Sequence, residues 1–424
     1  MTPTIAVARP ATSRYRWVIC GLLFFATVIA YIDRGVIANL EKGLEKEIGF
    51  DSVQYSYMLV CFQVAYAIGL VSAGRLTDRL GTRKGFSFAI VLWSIAAMLP
   101  GAANSVVTFS VAMFILGLGE AANFPACLKT VAEWFPKKER ALATGMFNSG
   151  ANIGNIVTPF VVAFLALAFS WRGAFVATGA TGFIWLGFWL WLYRKPEEHP
   201  SVSAEELALI QSDPVEKTES VPWARLFPCK ETWAFAIAKF LTDPIWWFYL
   251  FWLPRYLQGT FHLSLAESRT PIGVVYAISC VGSILGGYIS AFLLQRGWSH
   301  NAGRKTAMLI CALLVVPVLY APYSTNMWVV VGLVGLAAAA HQGWSANLFT
   351  LPSDTFPKAA VGSVVGIGGM VGSLGGALFQ PLTGYIVKTT NSYIPLFIVA
   401  GLAYLAALLV VQALSPKLQP ARLD

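Results

Sequence analysis

Six ionisable residues interrupt long apolar stretches of this 424-residue chain: Asp33 and Arg34, Glu120, Lys239 and Asp243, and His341. A charge at bilayer depth costs at least about 2.5 kcal/mol on the most lenient insertion scale, so each must be paired, hydrated or used. Arg34 suits an anion, because a guanidinium stays charged and can hold a carboxylate with two hydrogen bonds. Asp33 and Glu120 suit protons. Burial and a nearby cation pull on a carboxyl in opposite directions, and a group caught between them can titrate as a cavity fills and empties. The plainer reading is a static acid–arginine pair that joins helices. Lys239 and Asp243 stand at i, i+4, so they share a helix face and either neutralise each other or anchor a polar substrate. Pro244 follows them and frees the carbonyl of Phe240.

Neutral polar residues suggest what such a site would hold. Asn148, Asn152 and Asn155 share one face of a single apolar stretch, and Gln342 and Asn347 lie beside His341. Tyr31, Tyr66, Trp246, Trp247 and Trp252 add flat amphipathic rings. Amides beside aromatic faces suit a polyhydroxylated sugar, although tryptophans also gather at membrane interfaces. Trp247 is the one tryptophan assigned to the site.

The elements that must position these residues follow from composition. The chain is 57% hydrophobic and 12% charged, about half the charged fraction of soluble domains. Apolar stretches near 17–40, 55–77, 84–104, 107–128, 141–168 and 173–193 precede a polar connection. Others follow near 233–257, 271–294, 306–323, 327–350, 361–388 and 393–414. This pattern predicts an all-α membrane protein with twelve spans in two sets of six. The expected division is a bundle at 1–193, a linker at 194–232 and a second bundle at 233–424. Within the linker, SAEELALIQ reads as a capped amphipathic helix.

With the N-terminus inside, the inner segments hold 22 Lys and Arg and the outer ones six. That bias predicts cytoplasmic termini and a cytoplasmic linker. It also accounts for the net charge of +9 without nucleic acid. The halves repeat at an offset of 221 residues, which relates GTRK at 81 to AGRK at 302, and EWFPK at 133 to DTFPK at 354. Glu120 and His341 stand at the same offset. Two parallel six-helix repeats with a site between them make an alternating-access transporter.

GRLTDRLGTRK at 74–84 resembles the signature between helices 2 and 3 of the major facilitator superfamily. Its Asp78, Arg79 and Arg83, with Glu133 and Arg140 at a neighbouring turn, form either a gate latch or plain topogenic charge. YIDR, GLGEAANFPACLKTVAEWFPKKERALATGMFNSG and SDTFP extend the resemblance to the anion:cation symporter family. KFLTDPIWWFYLFWLP and AHQ are similar to its hexuronate branch, bacterial inner-membrane importers of glucuronate and galacturonate. The resemblance implies that Arg34 holds the carboxylate and that Asp33 and Glu120 couple protons. Tyr31, Tyr66, Asn148, Asn152, Lys239, Asp243, Trp247, His341 and Gln342 would line the sugar site. Two positions depart from the pattern. Met113 stands where many members carry an arginine, so Glu120 either pairs with Arg34 or stands protonated. Ala151 replaces the glutamine of aldonate and aldarate carriers, which favours a cyclic hexuronate.

The expected function is proton-coupled import of a sugar acid by a monomer in the cell inner membrane. The alternatives are an aldonate, aldarate or other organic-anion symporter, and a receptor that binds the sugar acid without moving it. GxSxG, HExxH and Walker A patterns are absent, and the six cysteines show no metal-ligand spacing. No enzyme, cofactor, metal site or nucleic-acid partner is therefore expected.

Overall fold

The computed structural model describes residues 14–212 and 221–421; for residues 71, 73–78, 137, 141, 358 and 359 it describes the backbone alone. The first half contains α1 (Tyr15–Ile48), α2 (Ser52–Leu80), α3 (Thr82–Met98), α4 (Val106–Glu120), α5 (Asn123–Trp134), α6 (Lys137–Phe169) and α7 (Trp171–Leu192). Two short helices follow, α8 (Ala204–Ile210) and α9 (Trp223–Leu226). The second half contains α10 (Lys230–Thr260), α11 (Leu265–Gln295), α12 (His300–Val315), α13 (Met327–Leu348), α14 (Thr350–Thr355), α15 (Lys358–Thr390) and α16 (Ile394–Leu414).

Eleven spans among the described residues are long and apolar enough to cross a membrane. The twelfth long helix, α10, is not one of them. Lys230, Glu231, Lys239, Asp243 and Arg255 break its apolar character, and its length of 31 residues carries it across about 45 Å regardless. The fourth span, read as continuous, is interrupted after Glu120, where Ala121 and Ala122 separate α4 from α5. The tenth ends as expected near Phe349, and the short α14 follows it.

The duplication is visible in the packing. α1 lies against α6 as α10 lies against α15, and α2 lies against α4 as α11 lies against α13. Between the halves, α2 meets α15 and α11 meets α6, while α1 meets α10 across the axis. The close approach of α10 to α15 depends on glycine. A Cβ on Gly375 would lie 2.7 Å from the carbonyl oxygen of Phe240, the group that Pro244 leaves without its intrahelical donor. Gly372 and Gly376 face Asp243 and Trp247 in the same seam. A side chain at any of the three would push α15 off α10.

α1 is longer than its apolar stretch. Its 34 residues span about 51 Å, well beyond a hydrocarbon core of about 30 Å. It stops at Gly49, whose φ of 78° is left-handed. α2 starts two residues later with a reciprocal cap: Asp51 accepts from the N–H groups of Val53 and Gln54, and Gln54 accepts from Asp51. The overhang brings Glu41 and Glu45 to the end of α10. Across the molecule, Ser203 caps α8 as its sequence suggested, accepting from the Glu206 N–H at 3.0 Å. Glu206 in turn accepts from the first backbone N–H groups of α1, at Tyr15 and Arg16. Arg16 also joins Glu206 to Glu139 of α6 at 2.9 Å each. His199 packs on Tyr15 with ring centroids 4.1 Å apart, and burial lowers its pKa. The segment from His199 to Glu206 is thus fastened to the first half.

Candidate functional site

Arg34 lies at the meeting of the two halves. Its Nε and Nη2 both donate to Oε2 of Glu120, at 3.0 and 2.7 Å, and both residues are buried, at 4% and 1% exposure. The geometry is one-sided, since Oε1 of Glu120 has no hydrogen-bond partner among the described residues. Four rings enclose the guanidinium: Tyr31 at 4.7 Å, Phe62 and Tyr66 at 5.1 Å each, and Trp247 at 5.2 Å. Three come from α1 and α2, whereas Trp247 comes from α10. A cation held by rings and a single carboxylate oxygen can trade that oxygen for another anion without losing its remaining contacts.

Asp33 does not share the ring cage of Arg34. It is 3% exposed, and neither carboxyl oxygen has a hydrogen-bond partner among the described residues. Glu120 and Thr178 of α7 are its polar neighbours, and the Thr178 hydroxyl is already donated to the carbonyl of Ala174. Adjacent in sequence, Asp33 and Arg34 therefore serve different surroundings.

A second polar cluster lies in the other half. Lys239 Nζ contacts Asp243 Oδ2 at 2.8 Å and sits 4.6 Å from the Phe349 ring. His341 Nδ1 and the Tyr404 hydroxyl are 2.6 Å apart, and the imidazole stacks on Trp246 at 5.0 Å and 9°. The structure therefore brings Lys239, Asp243 and His341 together with Trp246, and α10 links this cluster to Trp247 in the arginine cage. Lys239→Met alone leaves a mostly buried carboxylate uncompensated and is expected to destabilise the protein by about 3 kcal/mol. Adding Asp243→Leu should recover most of that in thermal melts of the purified protein. Recovery of stability with transport still lost would assign the pair to substrate as well as to packing.

The remaining expected residues are scattered in role. Asn148 is exposed and Gln342 is half-buried. Asn152 is buried, and the buried Nδ2 of Asn155 lacks a partner among the described residues. Asn347 is structural, donating to the carbonyls of Gly286 and Gly343. Met113 is buried, and Glu120 takes its cation from Arg34 instead.

Of the latch residues, the side chain of Asp78 lies outside the described residues. Arg79 is exposed. Arg83 donates to the Leu190 carbonyl at 2.5 Å. Glu133 and Arg140 are not partners: Glu133 accepts from Thr82 at 2.6 Å and Tyr193 at 2.5 Å. Arg140 donates to the Phe135 and Ala132 carbonyls that end α5. The end of a helix offers free carbonyls, and they outcompete a carboxylate already held by two hydroxyls.

Sequence reasoning missed the fastening at the opposite end. Glu41 is fully buried and ion-paired with Arg255, which also donates to Glu45 at 3.1 and 3.2 Å. Gln258 donates to the Asn39 carbonyl at 3.4 Å, and the Tyr55 hydroxyl donates to the Phe251 carbonyl at 3.0 Å. Lys388 meets Asp51 at 2.8 Å. Partial burial opposes ionisation of Asp51, but Lys388 and the N–H groups of Gln54 and Val53 outweigh it and hold the pKa low. This contact therefore persists above the usual carboxylate range and is lost only as pH falls through the lowered value. Among the described residues, the ion pairs that join the two halves, Arg255 with Glu41 and Glu45 and Lys388 with Asp51, all lie at this end.

The sequence profile of the Major Facilitator Superfamily matches residues 23–380. The chain belongs to this superfamily. Among curated superfamily members, the hexuronate transporter of Escherichia coli (strain K12) is 31% identical over 403 residues, 93% of each chain. The galacturonate transporter of Dickeya chrysanthemi is 32% identical over 308 residues, 71% of this chain and 89% of that one. A probable galactarate/D-glucarate transporter of Bacillus subtilis (strain 168) is 29% identical over 412 residues, covering 93% of this chain and 90% of the other. The superfamily fold is also that of a D-xylose-proton symporter, with a TM-score of 0.76 at 15% identity over 96% of this chain and 99% of that one. A bacterial homolog of the human lysosomal transporter Spinster, crystallised inward-facing and unoccupied, gives 0.73 at 16% identity over 96% of each chain.

Proposed function

We propose that this superfamily member imports a monoanionic sugar acid, a hexuronate such as glucuronate or galacturonate, together with a proton. The observation that carries the reading is the Arg34–Glu120 pair inside a cage closed by rings from both halves. The substrate carboxylate and Glu120 compete for one guanidinium. A proton taken up on Glu120 removes its negative charge, frees Arg34 and lets the incoming carboxylate bind. Loss of that proton restores the internal pair and expels the anion. Asp33, unpartnered beside Glu120, is the second acid on the proton's route. The sugar ring lies against Tyr31, Tyr66 and Trp247, with Lys239, Asp243, His341, Gln342, Asn148 and Asn152 completing the polar lining. The names of the Escherichia and Dickeya relatives support this substrate class. A dianionic aldarate would need a second free cation, and Lys239 is already neutralised by Asp243.

The same reading places both termini and the 194–232 linker in the cytoplasm of the inner membrane, with bundles at 1–193 and 233–424 in one monomer. The Glu41–Arg255 end then faces outward and is shut, so the arrangement faces inward. Asp78, Arg79, Arg83, Glu133 and Arg140 form the opposite gate. In an inward-facing state that gate is unfastened, which fits Glu133 and Arg140 bonding within their own half.

Uptake of labelled glucuronate and galacturonate into proteoliposomes tests this, with galactonate as competitor. An inward acid gradient should drive accumulation that collapses on its dissipation. At one proton per anion no net charge moves, so an imposed membrane potential should leave the accumulation ratio unchanged. Exchange without gradient-driven accumulation would overturn the coupling.

A further inference from the structure

Gln63 lies on α2 between Phe62 and Tyr66, two members of the arginine cage. Its side chain is fully buried, yet neither Oε1 nor Nε2 has a hydrogen-bond partner among the described residues. Native structures rarely leave a whole amide unsatisfied, and each such case calls for a ligand, a water or a second state. The surroundings favour a ligand. A Cβ on Gly376 of α15 would lie 3.0 and 3.1 Å from Gln63 Oε1 and Nε2, and 2.8 Å from Trp247 Cδ1. The amide therefore stands in the α2–α15 seam, at the rim of the cage, in space that a missing side chain keeps open. One turn along α15, Gln380 is also fully buried. It accepts from Trp252 at 2.6 Å, and its Nε2 has no partner among the described residues.

We propose that Gln63 binds two adjacent ring hydroxyls of the sugar acid whose carboxylate Arg34 holds, making it a specificity-determining residue of the carrier. The inference rests on the sugar-acid reading above. A primary amide offers one acceptor and two donors on adjacent atoms, a match for a vicinal diol and a poor match for an apolar acid. The seam is shut here beside the fastened end. When that end opens, α2 leaves α15 and the amide meets solute entering from that side. When it shuts again, the amide loses its partner, which helps release the sugar to the other side.

The test is uptake by wild type and Gln63→Leu, using the parent hexuronate and its single-position deoxy analogues. Gln63→Leu should raise the uptake KM for the parent about tenfold or more while leaving kcat within about twofold. It should also abolish the wild-type preference for the parent over the deoxy analogues at the two bonded positions. Thermal melts separate this from a packing role. Removing an unsatisfied amide leaves the unliganded protein as stable or more so, but about tenfold more hexuronate should be needed to reach the wild-type thermal shift. A lower unliganded Tm with an unchanged preference across the deoxy panel would overturn the proposal. If wild type carries galactonate and no hexuronate, the substrate reading fails alone, and the same panel built on galactonate decides for or against Gln63. Uptake confined to hydroxyl-free acids would overturn both.

Discussion

Arg34→Lys should lower kcat/KM for hexuronate uptake by about a hundredfold or more while leaving a positive charge in place. The lysine ammonium is a compact, strongly hydrated point charge, whereas the site is built for a flat cation. Two nitrogens of Arg34 reach one oxygen of Glu120, and four rings lie about 5 Å from its centre. Lysine cannot fill that cage and grip a carboxylate with two parallel bonds at once. Losing one hydrogen bond to a charged group costs about 1.5–3 kcal/mol and losing the ring contacts about 0.5–2 kcal/mol more, together about one and a half to three and a half decades at 1.4 kcal/mol per decade. Initial uptake rates, normalised to folded protein in the membrane, provide the measurement. A variant within threefold of wild type would remove Arg34 from the substrate site.

Glu120→Gln should separate accumulation from exchange. One proton per anion lets a gradient of one pH unit concentrate substrate about tenfold. Glutamine keeps the size of the side chain and the ability to hydrogen-bond, yet it cannot carry a proton on and off. The variant should therefore swap labelled for unlabelled hexuronate across the membrane while its accumulation ratio stays near one at every imposed gradient. Arg34, relieved of its internal competitor, should also bind substrate more tightly and with less dependence on pH. Retained gradient-driven accumulation would move the coupling to Asp33, whose Asp33→Asn variant would then show the separation instead.

Most of the architecture was legible because it follows from local chemistry. Apolar stretches of membrane length mark the helices, and the 221-residue repeat anticipates a packing in which the α1–α6 and α2–α4 contacts recur as α10–α15 and α11–α13. The charge-bearing α10 was legible as the apolar stretch near 233–257 despite its interruptions. At the site, the six intramembrane ionisable residues were conspicuous because each violates the apolar pattern. The absence of an arginine at Met113 left Arg34 as one of two outcomes for Glu120, and the structure takes it. Pairings between distant segments were not legible. Arg255 counts in the sequence only as one of six outer cations and Glu41 carries no signal of its own, since spacing says nothing about which loop a charge will meet. EIGFDSVQ does carry a signal: glycine then a capping aspartate marks a sharp turn, and recognising it would have extended α1 past Glu41 and Glu45 without naming their partner. Gln63 was hidden for a different reason. A glutamine among apolar neighbours is unremarkable until the packing leaves its amide with nothing to bond.

Pro244 gives α10 the properties of a lever. Kinks in long helices concentrate at proline, and here the fulcrum has unequal arms on its far side. Trp247 lies three residues beyond it and Arg255 eleven, about 4.5 and 16 Å along the axis. A bend of about 10° would shift Trp247 by under about 1 Å and Arg255 by about 3 Å, at the rise per residue of a helix. The first displacement keeps the ring against the Arg34 guanidinium; the second is enough to lift Arg255 from Glu41. One small rotation can thus unfasten the closed end while the ring that covers the substrate stays in place.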